Sequence, residues 1–494
     1  MSPLFLIVLA LLAWELLARR GLLGGFRLQL PRISLSWLAL AAPALVAGFA
    51  AQLALCDYQA AHDGVRPAWF GWTPYHFVDD AYRVGAHHVR LSYIALALAL
   101  IETVALVGLL AVISHHPSSK AARLVLALAA GAIAALALTS PVVTSGDIFG
   151  YVGIGMMKWQ AYLRPAGFFT GEYARVFDHY PIRPVPYGPV WLGLNAAVVA
   201  FGSTFAGKVL ALRIFGAVLI LAFVAILRGL RVGTPILWAV ALNPMLWFQF
   251  VVNAHNDLLA IVLVVAALLA LERRIPWLAI VLVAAAGAVK LPFLVVGIVI
   301  FARAPKLAER LAFALAAIAL ALGVSYLFGG APYFDSLMAT GRSRVGWPLE
   351  VTLFKMGLVA LALAATAAAL FARRFAVFAA WLYPGLAPLL FPWYLAWVLP
   401  YVCAAGAGLL ETLLALPVAS TLADTIYELD AVSLGIALGT IGLVALVLSD
   451  RRMRNGGSLE QVAHADPDRR RLRAELSRHA PAHVPAPRRD GDVG

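Results

Sequence analysis

The chain has 494 residues, 63% of them hydrophobic and 13% charged, with a formal net charge of +13 and a mean hydropathy of +0.88. Ordinary soluble domains are about 45–50% apolar and about 25% charged, so this composition excludes that class. The basic residues lie in short clusters between apolar runs (Arg19/Arg20, Arg228/Arg231, Arg273/Arg274, Arg303/Lys306/Arg310, Arg373/Arg374, Arg451/Arg452), a positive-inside pattern that argues against a nucleic-acid surface.

Taken in chain order, apolar runs at 3–18, 35–56, 91–114, 122–144, 188–203, 207–227, 234–252, 257–271, 276–302, 309–328, 351–371, 375–391, 393–408, 410–423 and 431–449 are candidate spans. A helix needs about 20 residues to cross the hydrocarbon core, and some of these runs are shorter, so about twelve to fourteen crossings are expected. Runs of this length lack the alternation of barrel strands, which leaves an all-α polytopic membrane protein. The first run, Leu4 to Leu17, has neither a basic segment before it nor a small-residue cleavage pattern after it, and reads as a retained helix. Residues 1–450 then form one membrane-embedded domain. The Arg-, Pro- and Asp-rich stretch 451–494 has no apolar periodicity and is expected to be a disordered basic cytoplasmic tail. Cys56 and Cys403 are the only cysteines, so neither a disulfide framework nor a Cys-x-x-Cys metal motif is indicated.

With the basic clusters on the cytoplasmic side, the loops 57–90, 145–187 and 329–350, together with 253–257 and 424–430, fall on the opposite side, and they hold most of the acidic, aromatic and His residues. Run 188–203 fits this parity poorly, having outside assignments at both ends. Run 276–302 has basic residues at both ends and is interrupted by Lys290-Leu291-Pro292, where proline predicts a break.

The first candidate site follows the fourth run, at Thr144-Ser145-Gly146-Asp147-Ile148-Phe149-Gly150-Tyr151. An ionisable side chain at the membrane boundary is expensive without a task, and a partly desolvated carboxylate suits general-base work on a sugar hydroxyl. Asp147 also has good N-cap context for a helix beginning at Ile148. The second is Asn253-Ala254-His255-Asn256-Asp257, either a polar wall for a substrate or an N-cap supplied by Asn256 or Asp257. A divalent metal there is a weak option, because residues two apart do not share a helix face. The third is Lys290, a natural phosphate partner if held in a cavity and a snorkelling side chain if not. Arg342 and Arg344 are further anion-binding candidates, and Arg213 is a weaker one. In Phe391-Pro392-Trp393-Tyr394-Leu395-Ala396-Trp397 the aromatics read first as an interfacial belt, with Trp393 or Tyr394 also able to stack on a sugar ring.

Together these segments resemble the C-type, membrane-embedded glycosyltransferases that use polyprenyl-phosphate-linked sugars, and bacterial polyprenol-phosphate-mannose-dependent mannosyltransferases in particular. Ser145-Gly146-Asp147-Ile148-Phe149-Gly150-Tyr151 is similar to the family's Asp-Ile-Tyr-x-Tyr opening of its first active loop. Tyr187-Gly188-Pro189, His255-Asn256-Asp257, Lys290-Leu291-Pro292 and Pro392-Trp393-Tyr394 follow in the family's order, covering about residues 120–410. The chain departs from the pattern at Leu163-Arg164-Pro165-Ala166, where the family has Asn-Pro-Tyr, and at Tyr187-Gly188-Pro189, where it has Tyr-Pro-Pro.

The resemblance implies a GT-C-like bundle with extracytoplasmic active-site loops in the inner membrane, and inverting transfer of mannose from a polyprenyl phosphate to a cell-envelope glycan or glycolipid; the residues indicate no cofactor and leave a divalent metal open. It implies that Asp147 is the base and that Lys290, with Arg342 or Arg344, meets the phosphate. Tyr151, Tyr187, His255, Asn256, Asp257, Trp393 and Tyr394 would bind substrate. A secondary transporter or lipid flippase, and a ligase or polymerase of lipid-linked glycans, are the competing readings of the residues.

Overall fold

A computed structural model describes residues 30, 32–62, 75–77, 85–164, 167–179, 184–342, 349–372, 379, 382–386, 392–405 and 409–425. The expected first helix, the run 431–449, most of 375–391 and the tail lie outside the described residues.

The protein is an all-α polytopic membrane protein. Among the described residues five helices are long and apolar enough to cross a membrane: Leu35–Ala61, Leu91–His115, Lys120–Thr139, Phe205–Gly229 and Leu307–Thr340. The pair Thr234–Ala241 and Pro244–Val252, bent by 43°, makes a sixth if taken as one span. The bend falls where Asn243 caps the second piece, its side chain accepting from the Leu246 N–H, with Pro244 at the first helical position. That piece ends in a π-helical turn, Phe248–Val252, which delivers Asn253 and His255 to the site.

Several apolar runs form shorter helices. Run 188–203 is the helix Pro189–Ala200, about 18 Å long at 1.5 Å per residue and too short to cross a core of about 30 Å. Run 276–302 is broken as expected. Pro276–Val289 is helical, Lys290 is extended, and a new helix begins at Pro292. The long Leu307–Arg342 helix is kinked at Gly330, which has a positive φ.

The core is built around Asp257–Glu272, a helix buried on nearly every face. It packs against Pro276–Val289, Phe205–Gly229 and Leu399–Ala405. A helix apolar all round belongs in such a central position. Within the loop 145–187 lies Gly171–His179, a short amphipathic helix of the kind expected for a surface-lying piece. Two short strands, His76–Phe77 and Val142–Val143, pair in parallel.

Candidate active site

The site forms where several helix ends meet. Asp147 opens the helix Asp147–Met157, and its backbone N–H donates to the Ser145 hydroxyl. Gly146 holds the N-cap position, with no side-chain capping bond. The capping reading of Asp147 therefore does not hold, and its carboxylate faces His255 instead, with Oδ2 3.5 Å from Nδ1. The Asp147 side chain is 37% exposed, whereas that of His255 is fully buried. A half-open carboxylate beside a buried imidazole forms the mouth of the site.

Two features fix the His255 loop. Ala254 adopts a positive φ of 53°, a conformation costly for a residue with a Cβ and typical of functional turns. Asn253 ties the two loops together, its Oδ1 accepting from both the N–H and the hydroxyl of Thr144, at 3.0 and 3.1 Å. The His255 ring stacks on Trp393 with centroids 3.7 Å apart and planes 19° apart. Trp393, Tyr394 and Trp397 are all buried. The aromatic-belt expectation for 391–397 is thus corrected: the segment forms a 3-10 helix, Pro392–Val398, that brings its rings inward to the site.

Deeper in, Asp257 begins its helix without capping it, and Asn256 at the N-cap position makes no capping bond either. One oxygen of Asp257, Oδ1, accepts from Lys290 Nζ and from the Trp397 indole N–H, each at 2.8 Å. Lys290 is buried, so it does not snorkel to an interface. Its ammonium lies 4.7 Å from the Tyr394 ring centroid, 5.3 Å from that of Trp397 and 5.8 Å from that of Tyr187. Carboxylate and aromatic faces together offset the cost of burying this charge. One of the three ammonium donors goes to Asp257, and Asp147 is near enough to act electrostatically on the same group.

Backbone pairing holds the Lys290 break open. Tyr187 and Lys290 form an antiparallel bridge, and the Gly188 N–H donates to the Val289 carbonyl at 2.9 Å. A Cβ at Gly188 would lie 2.1 Å from the Ala288 carbonyl oxygen. Only glycine permits this approach, which explains glycine at the middle of Tyr187-Gly188-Pro189. The Tyr151 hydroxyl donates to Asn256 Oδ1 at 3.3 Å and lies 3.4 Å from that of Tyr187. Burial holds both phenols well above the usual tyrosine range, with nearby carboxylates adding to the effect, so both remain O–H donors at neutral pH.

Nine of the eleven expected site residues therefore converge: Asp147, Tyr151, Tyr187, His255, Asn256, Asp257, Lys290, Trp393 and Tyr394. Arg342 ends its long helix, and Arg344 lies outside the described residues. Arg213, the weaker candidate, is fully buried and acts as a clamp. It donates to the carbonyls of Ser140, Val142 (2.7 Å) and Val252 (3.1 Å), joining the approaches to both active loops. Trp397, which the aromatic-belt reading overlooked, joins this candidate cluster through its indole N–H to Asp257.

Among the described residues, no group of three His, Cys, Asp or Glu side chains is placed to hold a metal ion. The buried polar atoms left without a hydrogen-bond partner include Asp257 Oδ2, Asn256 Nδ2 and both ring nitrogens of His255. Buried polar groups are nearly always paired, so a cluster of unpaired donors and acceptors fits a polyhydroxylated ligand.

A helical membrane bundle with a polar, aromatic-walled cluster at its helix ends defines a polytopic membrane protein with a candidate site for a polar ligand. The model of the MptA_B family, alpha-(1->6)-mannopyranosyltransferase N-terminal domain, matches residues 45–306, just over half of the chain, and the chain belongs to that family of GT-C-type mannosyltransferases. It is a membrane mannosyltransferase. No curated protein and no solved structure matches it.

Proposed function

We propose that the protein transfers mannose from a polyprenyl-phosphate donor to a glycan or glycolipid acceptor, with inversion, at the extracytoplasmic face of the inner membrane. The observation that supports this reading is the pairing of a partly exposed carboxylate with a buried cation across a cluster of buried polar atoms. Asp147 is a partly open carboxylate and Lys290 a buried cation, and His255, Asn256 and Asp257, which lie between them in the chain, carry buried polar atoms without a hydrogen-bond partner.

In this reading the acceptor hydroxyl approaches Asp147, which takes its proton as the new glycosidic bond forms. The buried imidazole of His255 orients the carboxylate. Electrons from the breaking sugar–oxygen bond move onto the phosphate, whose charge is met by Lys290 and by Arg342 or Arg344. Stabilising a leaving anion in a water-poor site is worth several kcal/mol, commonly the largest share of catalysis. Asn256 and Asp257 hold sugar hydroxyls, with Tyr151 and Tyr187 as neutral donors. Trp393 and Tyr394 supply apolar faces for the ring. No covalent sugar–enzyme intermediate is needed, because one carboxylate and one leaving phosphate suffice for a direct displacement.

Membranes bearing Asp147→Asn test the reading. General-base catalysis contributes typically about 10²–10⁴ in rate, so transfer from lipid donor should fall by that order while the protein still inserts and accumulates. Wild-type transfer by Asp147→Asn would remove Asp147 as the base.

A further inference from the structure

The strap 184–188 is paired on one side with the Lys290 break, through the Tyr187–Lys290 bridge and the Gly188 N–H. Side chains hold other backbone groups of the same strap. The buried Ser336 hydroxyl accepts the Val185 N–H at 2.8 Å. The buried Tyr162 phenol donates to the Tyr187 carbonyl at 3.0 Å. The Thr340 hydroxyl lies 3.1 Å from the Pro184 carbonyl and 2.9 Å from that of Ser336, with one proton to share between them. The proposed reaction uses none of these three side chains.

Two elements supply the grip. Tyr333, Ser336 and Thr340 are spaced three and four apart, so they share one face of the helix Leu307–Arg342. The helix can present that face because it kinks at Gly330, whose φ of 58° and ψ of −164° suit glycine almost alone. The exposed Tyr326, Leu327 and Phe328 precede the kink, and the buried Tyr333 and Ser336 follow it. Tyr162 arrives from the other element, the 3-10 turn Lys158–Tyr162 that continues from the Asp147 helix. Its ring packs against that of Tyr333 with centroids 5.3 Å apart. A buried N–H or carbonyl is costly to leave unpaired, so the two hydroxyls constrain the strap firmly.

What they constrain bears on the site. The Tyr187 ring is one of three aromatic faces around the Lys290 ammonium, and its hydroxyl lies 3.4 Å from that of Tyr151. Lys290 itself stands extended between two helices, and the bridge to Tyr187 steadies it from the side. From this geometry we infer that Tyr162 and Ser336 are positioning residues for anion binding: by gripping the strap they fix the Tyr187 ring and the Lys290 ammonium where a phosphate monoester would meet them. The inference rests on the proposed function, in which that ammonium receives the donor phosphate.

The full-length protein in detergent is titrated with farnesyl phosphate, a short isoprenoid monophosphate, and in parallel with farnesol, which lacks the anion. Quenching of tryptophan fluorescence reads binding, and melting temperature is recorded alongside. The wild type should prefer the phosphate. That preference should fall several-fold in Ser336→Ala and in Tyr162→Phe, with farnesol binding unchanged, and Ser336→Thr, which keeps the hydroxyl, should retain it. If Ser336→Ala fails to accumulate, Tyr162→Phe, which removes a hydroxyl alone, decides the question. An undiminished preference in the variants overturns the inference and leaves the proposed reaction standing, as does equal weakening of both ligands, the mark of a merely structural role. A wild type with no preference for the phosphate overturns the inference and the donor assignment together.

Discussion

Removing Asp257 leaves two buried donors, the Lys290 ammonium and the Trp397 indole, without their shared acceptor at 2.8 Å. Both members of the ion pair are buried, with side-chain exposures of 1% and 9%. Breaking such a pair from one side costs about 3–5 kcal/mol, because a charge is left uncompensated. Asp257→Leu should therefore reduce the folding equilibrium constant at least a hundredfold, taking about 1.4 kcal/mol per factor of ten. Lys290→Met should cost a similar amount by stranding the carboxylate. The double variant strands neither charge, and its residual cost is the unpaired indole, about 1–3 kcal/mol. The two single costs should thus exceed the double cost by several kcal/mol. Unfolding in mixed micelles, followed by tryptophan fluorescence, measures all four corners of the cycle. Additivity within about 0.5 kcal/mol would refute the pair as an energetic unit.

Gly188→Ala places a Cβ where the Ala288 carbonyl oxygen already is, so accumulation and melting temperature should both drop, by an overpacking cost of about 1–3 kcal/mol or more. Wild-type melting would disprove the tight approach. Arg213→Lys loses the planar fork that reaches three carbonyls and with it one or two charge-assisted bonds of about 1.5–3 kcal/mol each. Turnover should fall at least tenfold in protein that still inserts; an unchanged kcat would show that the clamp does not position the loops. Trp393→Ala removes the stack on His255, worth about 0.5–1.5 kcal/mol, and should lower transfer up to about tenfold. Trp393→Phe should recover most of it, and no recovery would point to the indole N–H instead.

Much of the site was legible because lipid makes polarity conspicuous. Asp147, His255, Asp257 and Lys290 each interrupt or border apolar runs, and proline after Leu291 marked the break that the structure contains. Their pairing was not legible. Asp257 and Lys290 are 33 positions apart, and either side chain alone fits many partners. Arg213 was undervalued for a related reason: its acceptors are backbone carbonyls, which carry no residue identity. The aromatic segment 391–397 misled because an interfacial belt and a buried wall share one composition, and only the packing of Trp393 on His255 separates them. Run 188–203 misled through length, since apolar character alone does not distinguish a crossing from a short helix lodged against its neighbours.

The bridge between Tyr187 and Lys290 has a bearing on biogenesis. Its two halves leave the ribosome about a hundred residues apart, an interval of roughly 5–20 seconds at ordinary synthesis rates. Throughout that interval the Gly188 amide lacks its eventual acceptor, and the aromatic ring of Tyr187 lacks the cation it will cover. The nascent N-terminal half must therefore wait in a looser, wetter arrangement until the later hairpin arrives. Substitutions that harm the bridge should show first as nascent chains cleared by quality-control proteases rather than as mature protein with altered catalysis.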